Sequence, residues 1–394
     1  MANTKITNPE LFNLGDSTSA TQLPVMTTTQ RIAMTGLSDG EMIFNSTTDK
    51  VEYWDGTKWY GITYESTGES PYNNVIWSGN GSSSRSRTGL GFQPDLVWVK
   101  AIQAQNHTLY DSIRGTGKYL ASETTNSENS NTTYGQLTSF DADGFTGSLG
   151  SHGTYSFFNS SSQTYVAWCF KAGGAAVANT DGSTASQVSA NVAGGFSIVK
   201  TAPTAGAITF GHGLDSAPEM IINKGYTSNG WGWLVYHKDI GTGKYLMLNT
   251  SGAINTFAGV FSAVTSTTIT NASSTSSQTY INYCFHSVPG YSKIGSYPGN
   301  GSTSPGNTID LGFEPSWIMI KNTTTAGSSS GWFMIDNKRN TSDPWNKYIF
   351  ANSSAAEGTT TQSLTSVGAT SFTVKSSGRA INYNGDNYIY LAFA

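Results

Sequence analysis

Charged residues are scarce in this 394-residue chain. Asp, Glu, Lys and Arg make up 12 % of it, about half of the ~25 % that is usual in soluble proteins. The formal net charge is −4 and no run of Lys or Arg occurs, so no nucleic-acid partner is expected. Long apolar runs are also missing, and none approaches the ~20 residues that cross a bilayer. The sequence therefore predicts no membrane insertion.

Aromatic side chains and turn-forming residues take the place of charge. Phe, Trp and Tyr make up 12 % of the chain, and there are 44 glycines among many Ser, Thr and Asn residues. Such an aromatic content argues against disorder, and the abundant turn formers are typical of β-rich proteins.

A threefold internal repeat accounts for most of the chain. Each copy contains a strand that ends in Lys, an aromatic strand, a Lys-Tyr segment and an aromatic closing strand. The strands that end in Lys are GFQPDLVWVK (91–100), GLDSAPEMIINK (213–224) and GFEPSWIMIK (312–321). The closing strands are SSQTYVAWCF (161–170), SSQTYINYCF (276–285) and NYIYLAF (387–393).

The strand patterns predict an all-β protein. Each copy has about the ~100 residues of a small sandwich domain. In the closing strand of the first copy, Val166, Trp168 and Phe170 alternate with Tyr165, Ala167 and Cys169. Both faces are thus apolar, as in a strand inside a two-sheet sandwich. The expected architecture is a series of tandem β-sandwich modules of jelly-roll type, arranged as beads on a line.

The predicted organisation has five parts. They are an N-terminal arm (1–22), a small β anchoring module (23–66), and sandwich repeats 1 (75–174), 2 (180–289) and 3 (290–394). The linker between repeats 1 and 2 is small and flexible in composition. In the anchoring module, Thr27 and Gln30 have the spacing of a helix capping box, and 40–62 predict a hairpin with a further strand. So few residues cannot form a stable core alone. We therefore expect a homo-oligomer, and specifically a trimer.

Two stretches resemble known families. LPVMTTTQR (23–31) with GEMIFNSTTDK (40–50) is similar to a module of tailed-phage fibre and other virion proteins. The repeats, through segments such as FDADGF (140–145) and WFMIDNKRN (332–340), resemble a domain of marine bacteriophage structural proteins described as SPRY-like or of unknown function. The resemblance implies a structural protein at the virion surface, which binds other virion proteins through its N-terminal segment. It implies no catalytic residues.

The sequence does not favour catalysis. Asp111 aligns with His237 and Asp336, so that position requires a polar group more than a catalytic one. The acidic residues do not form the carboxylate pair that a polysaccharide depolymerase needs. A binding role is therefore favoured over a depolymerase. We therefore predict no enzyme, no catalytic residue, no cofactor and no metal.

Three motifs have a structural and a chemical interpretation. Residues 140–145 could hold a cation, but a turn whose Asp side chains bond backbone N–H groups is favoured, because further oxygen ligands do not follow. The GTGK segments at 115–118 and 241–244 lack the spacing of phosphate loops and predict turns. Cys169 and Cys284 occupy equivalent positions in separate repeats, too far apart for a disulfide, so both are predicted to be buried free thiols.

Two loops are candidates for receptor contact. The loop 123–136 with Tyr134 and the loop 340–346 with Trp345 differ most between the repeats, and loops carry binding specificity on β-modules. The alternative is that they are solvated or pack on another copy. The predicted function is a surface fibre of adhesin type that contacts a host glycan or protein. Capsid decoration is the alternative role.

Overall fold

The protein is almost entirely β-structure. A computed structural model describes residues 23–47, 50–61, 70–152, 155–203, 206–272, 275, 278–360 and 364–394; the predicted arm 1–22 lies outside these residues. Strands account for 42 % of the described residues and helices for 2 %, which confirms the all-β prediction. The chain divides into two compact units, 1–67 and 68–394.

The N-terminal unit contains one sheet and a single helical turn. Its sheet has the order β1-β2-β3-β4, and α1 spans Thr28–Ile32. The strands are β1 (Val25–Met26), β2 (Met42–Asn45), β3 (Lys50–Trp54) and β4 (Trp59–Gly61). Thr27 and Gln30 form the predicted capping box. Ile43 is the one buried apolar core residue among this unit's described residues, so its core is as small as expected.

Repeat 1 forms a sandwich of two sheets, β5-β11-β7-β8 and β6-β10-β9. Its strands are β5 (Tyr72–Ser78), β6 (Ser84–Thr88), β7 (Leu96–Ala101), β8 (Thr108–Asp111), β9 (Leu137–Asp141), β10 (Gly144–Ser148) and β11 (Thr164–Phe170). A 3₁₀ turn covers Thr132–Tyr134.

Repeat 2 has a larger sheet, β12-β13-β14-β22-β16-β17-β18-β19, and a small one, β15-β21-β20. Its strands are β12 (Val177–Asn179), β13 (Ser186–Asn191), β14 (Phe196–Thr201), β15 (Ile208–Gly211), β16 (Met220–Gly225), β17 (Trp233–His237), β18 (Lys244–Met247), β19 (Asn255–Thr256), β20 (Ala263–Val264), β21 (Thr268–Asn271) and β22 (Tyr280–Phe285).

Repeat 3 has the sheets β23-β31-β25-β26-β27-β28 and β24-β30-β29. Its strands are β23 (Ser292–Pro298), β24 (Asn307–Asp310), β25 (Trp317–Asn322), β26 (Trp332–Asp336), β27 (Lys347–Phe350), β28 (Gly358–Thr359), β29 (Leu364–Gly368), β30 (Ser371–Lys375) and β31 (Asn387–Phe393).

The two faces of each large sheet have different partners. In β11, Tyr165, Ala167 and Cys169 face the interior of repeat 1 with residues of its small sheet. The alternate residues Trp168 and Phe170 join a second core that contains residues of all three repeats. Both faces are therefore apolar because one faces the sandwich and the other faces the neighbouring repeats.

The shared core corrects the predicted linear arrangement. The repeats do not follow one another as beads, because their large sheets pack together around a common centre. At this centre lie three equivalent phenylalanines, Phe170, Phe285 and Phe393, one at the end of each closing strand. Their ring centroids are 5.3–6.1 Å apart in all three pairs. The repeats thus form a ring with pseudo-threefold symmetry.

Backbone hydrogen bonds close this ring. The N–H of Glu128 bonds the carbonyl of Tyr226, that of Ile254 bonds Thr323, and that of Glu357 bonds Ile102. The three acceptors each lie two residues after the lysine of their repeat. Repeat 3 therefore donates to repeat 1 in the same way as repeat 1 donates to repeat 2.

The predicted flexible linker between repeats 1 and 2 includes a short strand, β12. β12 and β13 form a hairpin, and β13 pairs along its whole length with β14 at the edge of the repeat 2 sheet. Composition suggested flexibility, but ladder hydrogen bonds with the adjacent sheet edge override it.

Candidate functional site

A buried polar residue ends the second central strand of each repeat, at Asp111, His237 and Asp336. Asp111 accepts hydrogen bonds from Arg114 at 2.6 Å and, across the ring, from the Tyr283 hydroxyl at 2.8 Å. These contacts join repeats 1 and 2.

The same arrangement recurs between repeats 3 and 1. Asp336 accepts from Arg339 at 2.7 Å and from the Trp168 indole at 3.2 Å. Two carboxylates at this position are thus occupied in holding the ring together, as a structural role of the polar position requires.

Repeat 2 replaces the whole charged set. In repeat 1 this set is Asp111, Arg114 and Glu128, and in repeat 3 it is Asp336, Arg339 and Glu357. The equivalent residues of repeat 2 are His237, Ile240 and Ile254. Burial lowers the pKa of His237 to about 4, so the imidazole is neutral at pH 7. Charge is lost as a set because one member alone would be an unpaired buried ion.

The two receptor-loop candidates lie in different environments. Tyr134 is half-buried, and its ring centroid lies 5.3 Å from that of Tyr155 and 5.7 Å from that of Phe157. Trp345 is only 5 % exposed and belongs to the core of repeat 3. The indole of Trp345 is therefore not a surface aromatic, and receptor contact by either loop stays a prediction.

Asn340 explains why the Trp345 loop folds inward. Its side-chain amide donates to the carbonyls of Asp336 and Lys347 and accepts from the N–H groups of Asn346 and Lys347. One buried side chain thereby replaces the loop's missing backbone partners. Residue spacing alone does not reveal this.

The acidic segment of repeat 1 forms a turn between β9 and β10. The carboxylate of Asp143 accepts the N–H groups of Gly91 at 2.7 Å and Gly89 at 2.9 Å, and these bonds lower its pKa. Asp141 accepts from the hydroxyls of Ser139 and Thr146. Both side chains thus bond protein donors, as the turn interpretation expects. Across the part of the chain that the structure describes, no cluster of three metal-ligating side chains occurs.

Cys169 and Cys284 are both buried and free. Burial raises the pKa of Cys284 to about 12 and also raises that of Cys169. Both thiols therefore stay protonated and act as small apolar core residues.

A cavity of about 180 Å³ lies in repeat 2, outside the central core. Four aromatic side chains line it, namely Trp231, Tyr245, Phe257 and Tyr280. Trp231 and Tyr280 meet nearly edge to face with ring centroids 6.2 Å apart, and Phe257 is 52 % exposed. The sequence alone does not reveal this cavity, because the cavity depends on how side chains of different strands pack against one another.

An amide pair lies beside this cavity. Asn223, which lines the cavity and is 3 % exposed, donates to the Asn282 side-chain oxygen at 2.7 Å. Asn282 in turn donates to the Val199 carbonyl at 3.1 Å. The equivalent pairs are Val99 with Ala167 in repeat 1 and Ile320 with Tyr390 in repeat 3.

No helix in the described ranges has the length and apolar character of a membrane span. Neither the curated proteins nor the solved structures contain a match to this chain. Residues 3–78 match a family model described as Phage tail like trimerisation region, which supports a phage tail or fibre-type structural protein that assembles as a trimer. Residues 68–394, most of the chain, match the model of the Domain of unknown function (DUF7483), and the chain belongs to that family.

Proposed function

We propose that this chain is a homotrimeric tail-fibre protein on the surface of a tailed bacteriophage, as the likeness to marine phage proteins implies, and that residues 68–394 contact the host cell. The observation that carries the proposal is the trimerisation region at residues 3–78 followed in the same chain by a ring of three sandwiches. The N-terminal segment would also bind other virion proteins.

The interior of the ring supports a binding role over catalysis. Asp111 and Asp336 are fully buried and paired with Arg114 and Arg339. A glycosidase needs two carboxylates that flank a substrate, and these two serve contacts between repeats. Adhesion therefore suits the arrangement better than hydrolysis of a polysaccharide.

Trimer formation provides the first test. Mass photometry of the intact chain should give a particle of three times the 41.9 kDa chain mass. A monomer at nanomolar concentration contradicts the assembly part of the proposal.

Adsorption competition tests the contact with the host. Purified full-length protein should reduce phage attachment to host cells at micromolar concentration, with the same protein heat-unfolded as the control. Unchanged attachment would remove the adhesin role.

Location on the particle separates the two virion roles. Cryo-electron microscopy should place a few copies at the tail. Copies spread over the icosahedral lattice would instead identify a capsid decoration protein.

A further inference from the structure

The cavity of repeat 2 is open where the corresponding space in repeat 1 is filled. Each repeat has a Lys-Tyr segment, and its tyrosine is Tyr119, Tyr245 or Tyr348. In repeat 1, the ring of Phe157 packs on Tyr119 with centroids 5.1 Å apart. Repeat 2 has Ala272 at the position of Phe157, counted back from the closing strand.

Repeat 3 fills the same space by other means. Phe333 stacks on Tyr348 with ring centroids 4.9 Å apart. Asn322 directs its amide to the hydroxyl of Tyr388, the equivalent of Tyr280. In repeat 2 the residue at the position of Asn322 is Gly225, and a Cβ there would lie 3.1 Å from the Tyr280 ring.

Repeat 2 therefore has a cavity with aromatic walls, and the side-chain amide of Asn223 lies in its lining. The Asn223 side chain makes one hydrogen bond among the described residues, through its amide nitrogen. Its oxygen accepts none there, and the residue lines the cavity. This oxygen is therefore free to accept a hydrogen bond from a ligand that enters the cavity.

We propose that this cavity binds a neutral six-membered sugar ring of a host-surface glycan; this rests on the proposed host contact and identifies the ligand class. Cavities of roughly 150 Å³ hold a benzene ring, so about 180 Å³ suits one pyranose. The C–H face of the sugar packs on the electron-rich faces of Trp231 and Tyr245. A sugar hydroxyl donates to the Asn223 oxygen.

The lining of the cavity also indicates that its ligand is uncharged. Among the described residues, the lining contains aromatic, aliphatic, glycine and amide groups and no charged side chain. A carboxylate or phosphate on the ligand would lose its water without gaining a counter-charge. The site therefore selects neutral sugars over uronic acids.

Direct titration of the full-length protein tests the site. Glucose, galactose, N-acetylglucosamine and glucuronate are the probes, with binding followed by saturation-transfer NMR. At least one neutral sugar should bind saturably with a Kd in the millimolar range, where single rings of modest affinity lie. Glucuronate should bind at least tenfold more weakly.

Two variants test the lining, and a third is the control. Trp231→Ala removes one wall, and Asn223→Val with Asn282→Ala installs the apolar pair of repeat 1. Each should weaken sugar binding at least tenfold. Tyr383→Ala removes a 39 % exposed aromatic of repeat 3 and should leave binding unchanged.

Several outcomes overturn the proposal. They are no saturable binding of any neutral sugar, equal affinity in the wild type and both lining variants, and binding of phenol in the cavity without binding of sugars.

Adsorption competition separates failure of this sugar site from failure of the proposed function. If the wild type and Trp231→Ala block phage attachment equally, the host contact stands and the cavity is not its site. If sugar binds but attachment is unaffected, the cavity stands and the host contact fails.

Discussion

Trp233 donates its indole N–H to the backbone carbonyl of Ala121 at 3.0 Å and so joins repeat 2 to repeat 1. Equivalent atoms join the other pairs. Trp332 donates to the Met247 carbonyl at 2.9 Å, and the Nε2 of His107 lies 3.1 Å from the Phe350 oxygen. The Nδ1 of His107 accepts from the Trp98 indole, so Nε2 carries the proton.

Trp233→Phe should destabilise the protein by about 1–2 kcal/mol. The substitution removes the donor to Ala121 and reduces the volume of a fully buried side chain, and lost hydrogen bonds cost about 1 kcal/mol. Urea unfolding measures the change. Trp231→Phe is the matched control, because its half-buried indole makes no hydrogen bond among the described residues; it should change stability by less than about 0.5 kcal/mol. Equal losses would contradict the proposed role of the Trp233 bond.

Much of the fold could be predicted from the sequence, because strand alternation is local. The pattern around Trp168 correctly separated its two apolar faces, and the alignment of Asp111 with His237 and Asp336 correctly identified an equivalent position. The ring could not be predicted in this way. A strand with two apolar faces must bury both, but the alternation does not say what covers the second face. A neighbouring repeat and a second sheet of the same repeat give the same pattern.

The candidate site shows the same limit. Variability between repeats singled out the loop of Trp345, but a loop's variation says nothing about whether its aromatic points inward. The cavity of repeat 2 arises from small residues such as Gly225 and Ala272 opposite large ones. Such a space becomes visible only when the structure shows which residues of strands far apart in the sequence lie opposite one another.

Arg339→Ile should cost about 3–5 kcal/mol. It leaves the fully buried carboxylate of Asp336 without its cation, and breaking one side of a buried ion pair has this magnitude. Combining it with Asp336→His and Glu357→Ile copies the uncharged set of repeat 2 and should recover at least half of the loss. Thermal unfolding compares the variants. A triple variant as unstable as the single one would show that the unpaired charge is not the cause.

The two thiols should be inert in the folded protein. Cys169 and Cys284 are fully buried and their pKa values are raised, whereas thiol reagents attack the exposed thiolate. A colorimetric thiol assay should therefore detect none in native protein at pH 8 and two per chain in denaturant. Prompt reaction of either thiol without denaturant contradicts the burial, and fewer than two thiols in denaturant contradicts the free state.

Three buried lysines should make stability rise with pH above neutrality. Lys100, Lys224 and Lys321 each lie one residue before the end of a central strand of their repeat. Burial lowers the pKa of Lys321 to about 7 and those of Lys100 and Lys224 to about 8, from 10.5. Between these values and about pH 9 the unfolded chain binds more protons at these lysines than the folded chain, so the free energy of unfolding increases with pH. Nearer pH 10 the buried tyrosines oppose this rise, because burial raises their pKa, as for Tyr165 and Tyr388 to about 12, and the folded chain then binds more protons at them. Each lysine contributes a slope of up to about 1.4 kcal/mol per pH unit.

Urea unfolding at pH 8.0, 8.5 and 9.0 measures that slope. Glu123 disturbs it little, because its pKa is raised by burial only to about 7 and the group is predominantly ionised in both states at pH 8 and above. Lys321→Met should lower the slope by about one proton equivalent. The Nζ of Lys321 bonds the carbonyls of Asn322 and Ser330, so the variant also loses stability overall, but that loss does not depend on pH. Lys338→Met removes the same charge from an exposed position and should keep the wild-type slope. If Lys321→Met and the wild type share one slope, the ammonium of Lys321 retains its ordinary proton affinity through its two carbonyl bonds, and burial does not control its ionisation.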